Sequence, residues 1–464
     1  MNPSITIEFS EGTLLISTPP GSEVPINQWC VYDSRFGCWR CDASAYAPIV
    51  EYLYRNHIPY DDMARSYSAL NLVLREPRQP RDYQQAALNA WTAAKRRGIV
   101  VLPTGTGKTF VAELAIASAS RSTLVVVPTI DLMTQWASQL ERAFGCHVGM
   151  LGGGSHEIAD LTVSTYDSAL LSIDSSGGRF GLLIVDECHH LPGQTYRHIA
   201  TAAIAPYRLG LSATPERDDL PDNQLEGLLG GICFRKEIDE LEGTVLADYT
   251  TERICVELDE EEFAAYHASR ERYVSFLHRN AINLNNQDGW KAFLLAVARR
   301  PGGREAYRAY LEQKRIATAS RAKLETVWQL LKKHAGRRTL IFTADNKTAY
   351  EIGERFRLPV LTHHTKAAER KDFLDCFRSG EYPCLVTSKV LNEGVDVPEA
   401  EIGIVVSGSG SIREHVQRLG RILRPTPGKS AILYEIVSFG TSEYSTSDRR
   451  RQHRAYERPG YLPM

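Results

Sequence analysis

The 464-residue chain has no long hydrophobic run, no lopsided charge and no regular cysteine framework. No window approaches about 18 apolar residues, so a membrane-spanning helix is excluded. The start, "MNPSITIEFSEGTLLISTPPG", lacks a basic stretch followed by an apolar run. It does not read as a signal peptide, and a cytoplasmic location is expected. Lys and Arg number 54 against 56 Asp and Glu, a net charge of −2. A polyanionic partner must therefore be met by local basic patches rather than by the field of the whole chain. Nine scattered cysteines argue against a disulfide scaffold. Three of them, Cys30, Cys38 and Cys41, fall in "CVYDSRFGCWRC". A zinc site there would need a fourth ligand, and no second CxxC or HxxxH follows, which leaves His57 to serve only by accident of fold. Reduced, structural cysteines are the expectation, and no metal is assigned to them. No repeat with a period of roughly 20–50 residues stands out.

What is present is an ordinary globular balance, 43% apolar and 24% charged, over a length that suggests about three domains. Residues 1–75 alternate short β-like runs ("ITIEF", "TLLIST") with an aromatic-rich helical stretch ("YAPIVEYLYRNHI"), a small mixed domain. "REPRQPRDY" (75–83) reads as a linker. From Tyr83 onward, apolar runs alternate with amphipathic helices: "GIVVL", "TLVVVP", "LTVST", "GLLIVDE" and "RLGLSAT". Such near-continuous hydrophobicity fits parallel strands buried on both faces. The rhythm returns at "RTLIFT", "LPVLTHH", "PCLVTS", "IGIVVS" and "SAILYEIV". The expected class is α/β, with two parallel-sheet domains at 76–245 and 246–445, an interdomain cleft, and a basic tail at 446–464. Inside the second domain, residues 256–323 have helical spacing and no strand signal. From Arg270 to Lys323 there are twelve Lys and Arg against four Asp and Glu. Aromatics interleave with them (Tyr273, Phe276, Trp290, Tyr307, Tyr310), a pattern that predicts a nucleic-acid surface in which Arg299, Arg300, Arg304 and Arg308 take part.

"PTGTGKT" (103–109) is a strand-to-helix phosphate loop. Gly105 and Gly107 permit the tight turn, and the backbone N–H groups of Thr104 to Thr109 point inward beside a helix N-terminus. Lys108 would reach the β/γ-phosphates and Thr109 would hold Mg²⁺. The first glycine of the usual pattern is Leu102 here. "GLLIVDECHH" ends a strand in paired carboxylates, Asp186 for the metal and Glu187 to orient and deprotonate the attacking water. His189 and His190 adjoin them in coupling roles, and "LGLSATPERDD" adds Ser212 and Thr214 to relay nucleotide state. Upstream, "RDYQ" places Arg81 and Gln84 as adenine contacts. "VVVPTIDL" and "LTVSTYDS" put Thr129 and Thr165 at strand ends, where hydroxyls and amides grip a phosphate backbone. "VTSKVLNEGVDVPEA" brings Gly394 and Asp396 to the nucleotide. "REHVQRLGRILRP" offers Gln417, Arg421 and Arg424, the arginines three apart, as arginine fingers acting from a neighbouring domain.

This ordered set resembles the superfamily 2 helicases, and within them the XPB family, especially its shorter archaeal and bacterial members. The narrowing features are "VVVPTIDLMTQW", "YRLGLSATPERDD", "VLNEGVDVPEAEIGIVVSGSGSIREHVQRLGRILRPTPGK" and "LYEIVSFGT", and the likeness spans about residues 78–445. The resemblance implies two RecA-like domains, an N-terminal damage-recognition domain in 1–75, and a thumb-like insertion. It implies a 3′–5′ DNA translocase or helicase using ATP and Mg²⁺ in nucleotide excision repair. Duplex, forked or single-stranded DNA would be the substrate, with a nuclease as possible partner and a monomer or heterodimer as the assembly. The family's Arg-Glu-Asp motif stands here as Arg217-Asp218-Asp219, one methylene shorter in the middle. If that Glu is a strand-separating wedge, its reach is reduced. Two alternatives share the same motifs: an ATP-gated DNA clamp that barely unwinds, and a restriction-type translocase or RNA helicase.

Overall fold

The computed structural model describes residues 5–19, 26–75, 78–215, 223–237, 240–241, 248–284, 286, 288–388, 400–408, 430–444 and 447. The chain forms two compact units, Met1–Glu237 with Gly394–Asp396, and Ile238–Glu393 with Val397–Met464.

The first unit opens with a five-stranded sheet in the order Val31–Asp33, Cys38–Asp42, Thr13–Ser17, Ile5–Ser10, Tyr60–Asp62. Alternation sends Ile5, Ile7, Leu14 and Ile16 inward, onto Ile49 and Leu53 of the helix Tyr46–Arg55. The cysteine-rich stretch is a hairpin, Val31–Asp33 against Cys38–Asp42. Cys30 and Cys41 lie in this apolar core and share a thiol hydrogen bond. No cluster of three or more metal-ligating side chains occurs among the described residues.

An eight-stranded sheet follows, ordered Ile232–Arg235, Arg97–Val101, Tyr207–Ser212, Leu182–Asp186, Thr123–Val127, Leu161–Thr165, Val148–Gly152, Ser155–His156. All neighbours are parallel except the last pair. Every residue of Thr123–Val127, Leu161–Thr165 and Leu182–Asp186 is buried, as their unbroken hydrophobicity demands. The helix Lys108–Ala119 is apolar nearly all round and is correspondingly sunk in the domain. The helix Ile130–Phe144 is instead amphipathic, burying Met133, Trp136, Ala137 and Leu140. Thr129 caps its start and Gly145, at φ 63°, ends it.

The N-terminal sheet is fastened to the motor sheet's domain. Gly12 and Ser66 donate their N–H groups to the carbonyls of Asp174 and Gly178 at 3.0 Å, and Leu70 donates to Ser120 at 2.9 Å. Phe9 packs on Gly177–Gly178. A Cβ on Gly177 would lie 2.2 Å from the Ala202 carbonyl oxygen and 3.0 Å from the Phe9 ring, so no larger residue fits without displacement. The segment read as a linker is anchored where it is described. The Arg75 N–H donates to the Ala143 carbonyl, and Arg78 pairs with the buried Glu113 at 2.6 Å while lying over the Phe110 ring. Its arginines act as fasteners, which composition alone does not reveal.

The second unit carries a six-stranded parallel sheet ordered Asp248–Val256, Ser430–Ser438, Ile402–Val405, Thr339–Phe342, Cys384–Thr387, Val360–Leu361. Between its edge strand Asp248–Val256 and the helix Arg321–Lys333 stand three insertion helices, Glu260–Arg279, Gly289–Arg299 and Gly303–Thr318. Lys323 is fully buried, donating to the Val406 carbonyl at 2.5 Å and to Glu443 at 2.6 Å.

Candidate active site

Three adjacent strands of the first unit, Arg97–Val101, Tyr207–Ser212 and Leu182–Asp186, bring the phosphate loop, the Ser212/Thr214 turn and the Asp186/Glu187 pair to neighbouring carboxyl ends. Ligands of parallel sheets collect at that edge. In the loop, Gly105 and Gly107 both adopt φ 85°, which their lack of a Cβ permits. Lys108 opens the helix and folds its ammonium back to the Leu102 carbonyl at 3.3 Å, while Thr109 is half-buried behind it. Thr106 is buried and donates its hydroxyl to the Pro103 carbonyl. Its own carbonyl accepts from Tyr83 at 2.5 Å and from the Gln84 amide at 3.1 Å.

Gln84 therefore acts as a strut. Its Oε1 accepts the Arg81 N–H at 3.0 Å, reaching back over the helix start, and its Nε2 holds the phosphate loop. Arg81 is exposed, its guanidinium 3.4 Å from the Tyr83 hydroxyl.

Asp186 is buried. One carboxylate oxygen accepts the Glu187 N–H at 3.0 Å and the other accepts the Trp136 indole N–H at 3.1 Å. Burial, then the neighbouring Glu187 charge, pushes Asp186 up to about 6, against the pull of the Lys108 ammonium and the indole. That pull places Lys108 within electrostatic reach of the carboxylate. Glu187 sits at φ 46°, a left-handed conformation that costs a non-glycine residue on the order of 1–3 kcal/mol. The Tyr166 hydroxyl bonds the carbonyls of Asp186 and Glu187, at 2.9 and 3.2 Å. His189, fully buried, lies 3.2 Å from the Ser212 hydroxyl and 3.5 Å from the Glu187 carboxylate, and Thr214 donates its N–H to Ser212 Oγ. His190 stacks beside His189, 4.2 Å between centroids.

Among the described residues, three buried oxygens at this edge have no hydrogen-bond partner: Thr104 Oγ1, Thr214 Oγ1 and Glu187 Oε2, the last of which is 3.5 Å from the His189 ring nitrogen. A native interior rarely leaves such atoms unmatched. With the glycine-lined loop, the Lys108 ammonium and the Asp186 carboxylate, they fit a nucleotide triphosphate with a divalent cation.

Thr129 and Thr165 lie farther along the same edge, and both cap helices. Thr129 Oγ1 accepts the Leu132 N–H, and Thr165 Oγ1 accepts the Ser168 N–H and donates to the Ser168 hydroxyl. In this structure the Thr165 hydroxyl bonds the start of its own helix.

In the insertion, the aromatics pack on one another: Phe293 is fully buried, Tyr273 packs on Phe293 and Tyr310 at 5.4 and 5.2 Å, and Trp290 packs on the same two rings while staying 41% exposed. Burial takes Tyr273 and Phe276 out of reach of base stacking, a correction to the pattern read from sequence. Arg299, Arg300, Arg304 and Arg308 are all exposed. Arg299 and Arg300 line a hollow of about 410 Å³, and Arg308 lines another of about 820 Å³ facing the helix Asn346–Phe356. Arg217, Asp218, Asp219, Gly394, Asp396, Gln417, Arg421, Arg424 and the basic tail lie outside the described residues. Trp136, Tyr166 and Tyr83 were assigned no role from sequence. Trp136 stands within the quoted "VVVPTIDLMTQW", yet its partner is 50 residues away.

Three family profiles match the chain. Residues 7–64 match the Xeroderma pigmentosum group B helicase damage recognition domain, 78–217 the type III restriction enzyme res subunit, and 322–426 the helicase conserved C-terminal domain. The chain is 42% identical over 380 residues to the DNA 3′–5′ translocase XPB2 of Sulfurisphaera tokodaii, covering 82% of this chain and 86% of that one. It is 31% identical over 402 residues to the DNA 3′–5′ helicase XPB of Mycobacterium tuberculosis, covering 83% of this chain and 65% of the relative. It is 26% identical over 450 residues to the general transcription and DNA repair factor IIH helicase/translocase subunit XPB1 of Arabidopsis thaliana, covering 89% and 53%. In fold it is similar to the Hef helicase domain of Pyrococcus furiosus (TM-score 0.51, 20% identity, 81% of this chain and 98% of that one). It is similar also to S. cerevisiae Dbp5 bound to RNA and ADP BeF3 (TM-score 0.55, 14% identity, 81% and 87%). The restriction-enzyme profile covers only the first motor half, whereas the damage-recognition profile and the archaeal relative single out one lineage. The chain belongs to the XPB family of DNA 3′–5′ helicases and translocases.

Proposed function

We propose that this chain is an ATP-driven motor that moves 3′–5′ along DNA and opens or remodels the duplex in nucleotide excision repair. The observation that most supports this reading is the convergence of the phosphate loop, the Asp186/Glu187 pair and three orphaned oxygens at one sheet edge, in a chain whose relatives are named as DNA 3′–5′ translocase and helicase.

In this reading Lys108 neutralises the β/γ-phosphates, and Thr109 with Asp186 would hold Mg²⁺, which when bound would withdraw further phosphate charge. Glu187 orients the attacking water and accepts its proton through Oε2. Its fixed left-handed backbone and the Tyr166 bond keep the carboxylate from swinging away. His189, Ser212 and Thr214 form a continuous polar line from Glu187 to the turn before Arg217-Asp218-Asp219. Arg421 and Arg424 supply the positive charge that family motifs of this kind bring to the γ-phosphate, and Gln417 adds a neutral amide beside them. Gly394 and Asp396 complete the nucleotide contacts, with Arg81 and Gln84 on the adenine side. Thr129, Thr165 and the insertion arginines contact DNA phosphates. A nuclease is a partner consistent with this reading.

Strand displacement on forked and blunt duplexes, with and without ATP, tests this together with ATP turnover on DNA and RNA. ATP-dependent displacement with 3′–5′ polarity is expected. Stimulated turnover without displacement would identify a clamp, and stimulation by RNA alone would overturn the DNA assignment. If Asp218 is a shortened wedge, Asp218→Glu raises displacement on the fork without raising ATP turnover.

A further inference from the structure

The two threonines proposed to contact DNA each begin a helix, and each helix delivers one aromatic donor to the same two carboxylate residues. Trp136 lies seven residues after Thr129, about 10 Å along a continuous helix. Its indole N–H bonds the side chain of Asp186 at 3.1 Å. Tyr166 directly follows Thr165, and its hydroxyl bridges the backbone carbonyls of Asp186 and Glu187. Both rings are almost fully buried, 2% and 3% exposed, so no water competes for either bond. The strand Thr123–Val127, which leads into the Thr129 helix, lies between Leu182–Asp186 and Leu161–Thr165. Both arms therefore start from strands near the carboxylates, at the same edge.

We infer that Trp136 and Tyr166 are positioning residues that carry the state of the DNA-facing loops at Thr129 and Thr165 to the hydrolytic carboxylates Asp186 and Glu187. The inference rests on the motor reading given above. The two arms act on different parts of the pair. Trp136 fixes the rotamer of the Asp186 carboxylate, the group proposed for the metal. Tyr166 fixes the peptide that holds Glu187 in its left-handed conformation. A capped helix moves as a rod, so a shift of its first turn on binding phosphate displaces the donor at its other contact. Packing alone would be satisfied by phenylalanine at Tyr166 and by a bicyclic ring without an N–H at Trp136. The indole N–H on the Asp186 carboxylate and the phenol O–H on the Asp186 and Glu187 carbonyls are the part that packing does not explain.

Because linkage is reciprocal, DNA and nucleotide must alter each other's affinity by one factor, typically about 5–150-fold in coupled systems. The experiment measures that factor on the full-length protein. Affinity for a fluorescein-labelled duplex is read by anisotropy, without nucleotide and with a non-hydrolysable ATP analogue plus Mg²⁺. The ratio of DNA-stimulated to basal ATP turnover is measured alongside. Tyr166→Phe deletes a single oxygen, and replacing Trp136 by its benzothienylalanine isostere exchanges the indole N–H for sulfur while keeping the bicyclic ring. Each is expected to bring both ratios at least about threefold closer to one, while the melting temperature stays near wild type. Variants that melt early yet keep the wild-type ratios would show a packing role and overturn the inference, as would unchanged ratios in stable variants. A wild-type protein with no DNA stimulation and no linkage would instead overturn the motor reading itself.

Discussion

The buried Lys323–Glu443 pair offers a quantitative test of how the second unit is held together. The Lys323 side chain is 0% exposed and that of Glu443 5%, with 2.6 Å between nitrogen and oxygen. The ammonium also donates to the Val406 carbonyl, and the same Glu443 oxygen accepts the Ser438 N–H at 3.3 Å. The pair thus joins the helix that follows the insertion to the end of strand Ile402–Val405 and to the chain beyond strand Ser430–Ser438. Lys323→Met takes the ammonium away from the buried carboxylate, and Glu443→Leu takes the carboxylate away from the buried ammonium. Removing one member of such a pair costs about 3–5 kcal/mol. The double variant removes both charges and their desolvation. Its residual cost is two backbone groups deprived of these partners, Val406 C=O and Ser438 N–H, at about 1–3 kcal/mol each. Additivity would give about 6–10 kcal/mol, so the cycle should show a coupling of about 4 kcal/mol at the middle of these ranges. Trp328 lies in the helix that Lys323 helps to begin. Its fluorine resonance in 5-fluorotryptophan-labelled protein, followed through urea unfolding, reports on this unit. Single variants costing under about 1 kcal/mol, or a double variant equal to the sum of the singles, would refute the reasoning.

Lys108→Ala should abolish ATP turnover, because it removes the charge nearest the phosphates; a phosphate-release assay near the wild-type rate would sink the site assignment. Replacing Arg299, Arg300, Arg304 and Arg308 with Gln should weaken DNA binding and flatten its salt dependence. Each lost phosphate contact should reduce the log–log slope by about 0.7–0.9, and an unchanged slope in a salt titration would return these side chains to a purely solvated role. Gly177→Ala should push the Ala202 carbonyl and the Phe9 ring apart, an overpacking cost of about 1–3 kcal/mol. Limited proteolysis should then release the N-terminal domain faster, and wild-type resistance would show that the contact yields freely.

Much of the motor was legible in the sequence because parallel strands buried on both faces write themselves as unbroken apolar runs. "TLVVV" and "LLIVD" are fully buried strands, and the loops that follow them carry the chemistry. The strand Asp248–Val256, "DYTTERICV", escaped because it is an edge strand with polar residues throughout. Val148–Gly152 escaped because glycine begins and ends "GMLG" within it. The cysteine spacing of "CVYDSRFGCWRC" drew attention to metal chemistry and away from a hairpin. In the insertion, alternating charges and rings have the same appearance whether the rings face a nucleic acid or one another; only the third dimension separates the two. The site shows the same limit. Its ligand-facing residues sit in compact motifs, whereas the residues that brace them do not. Arg208 is fully buried, donates to the carbonyls of Ala203, Ala205 and Leu228, and is pushed down to about 9 by desolvation, yet nothing near it in sequence announces this.

The docking of Phe9 on Gly177–Gly178, with the Gly12, Ser66 and Leu70 hydrogen bonds around it, has a metrical consequence. The N-terminal domain cannot trail the motor on a tether or scan ahead of it. Any nucleotide it touches lies at a set offset from the phosphate loop. Together the two parts behave as a caliper of fixed opening, so the distance between the N-terminal sheet and the phosphate loop is set by the fold.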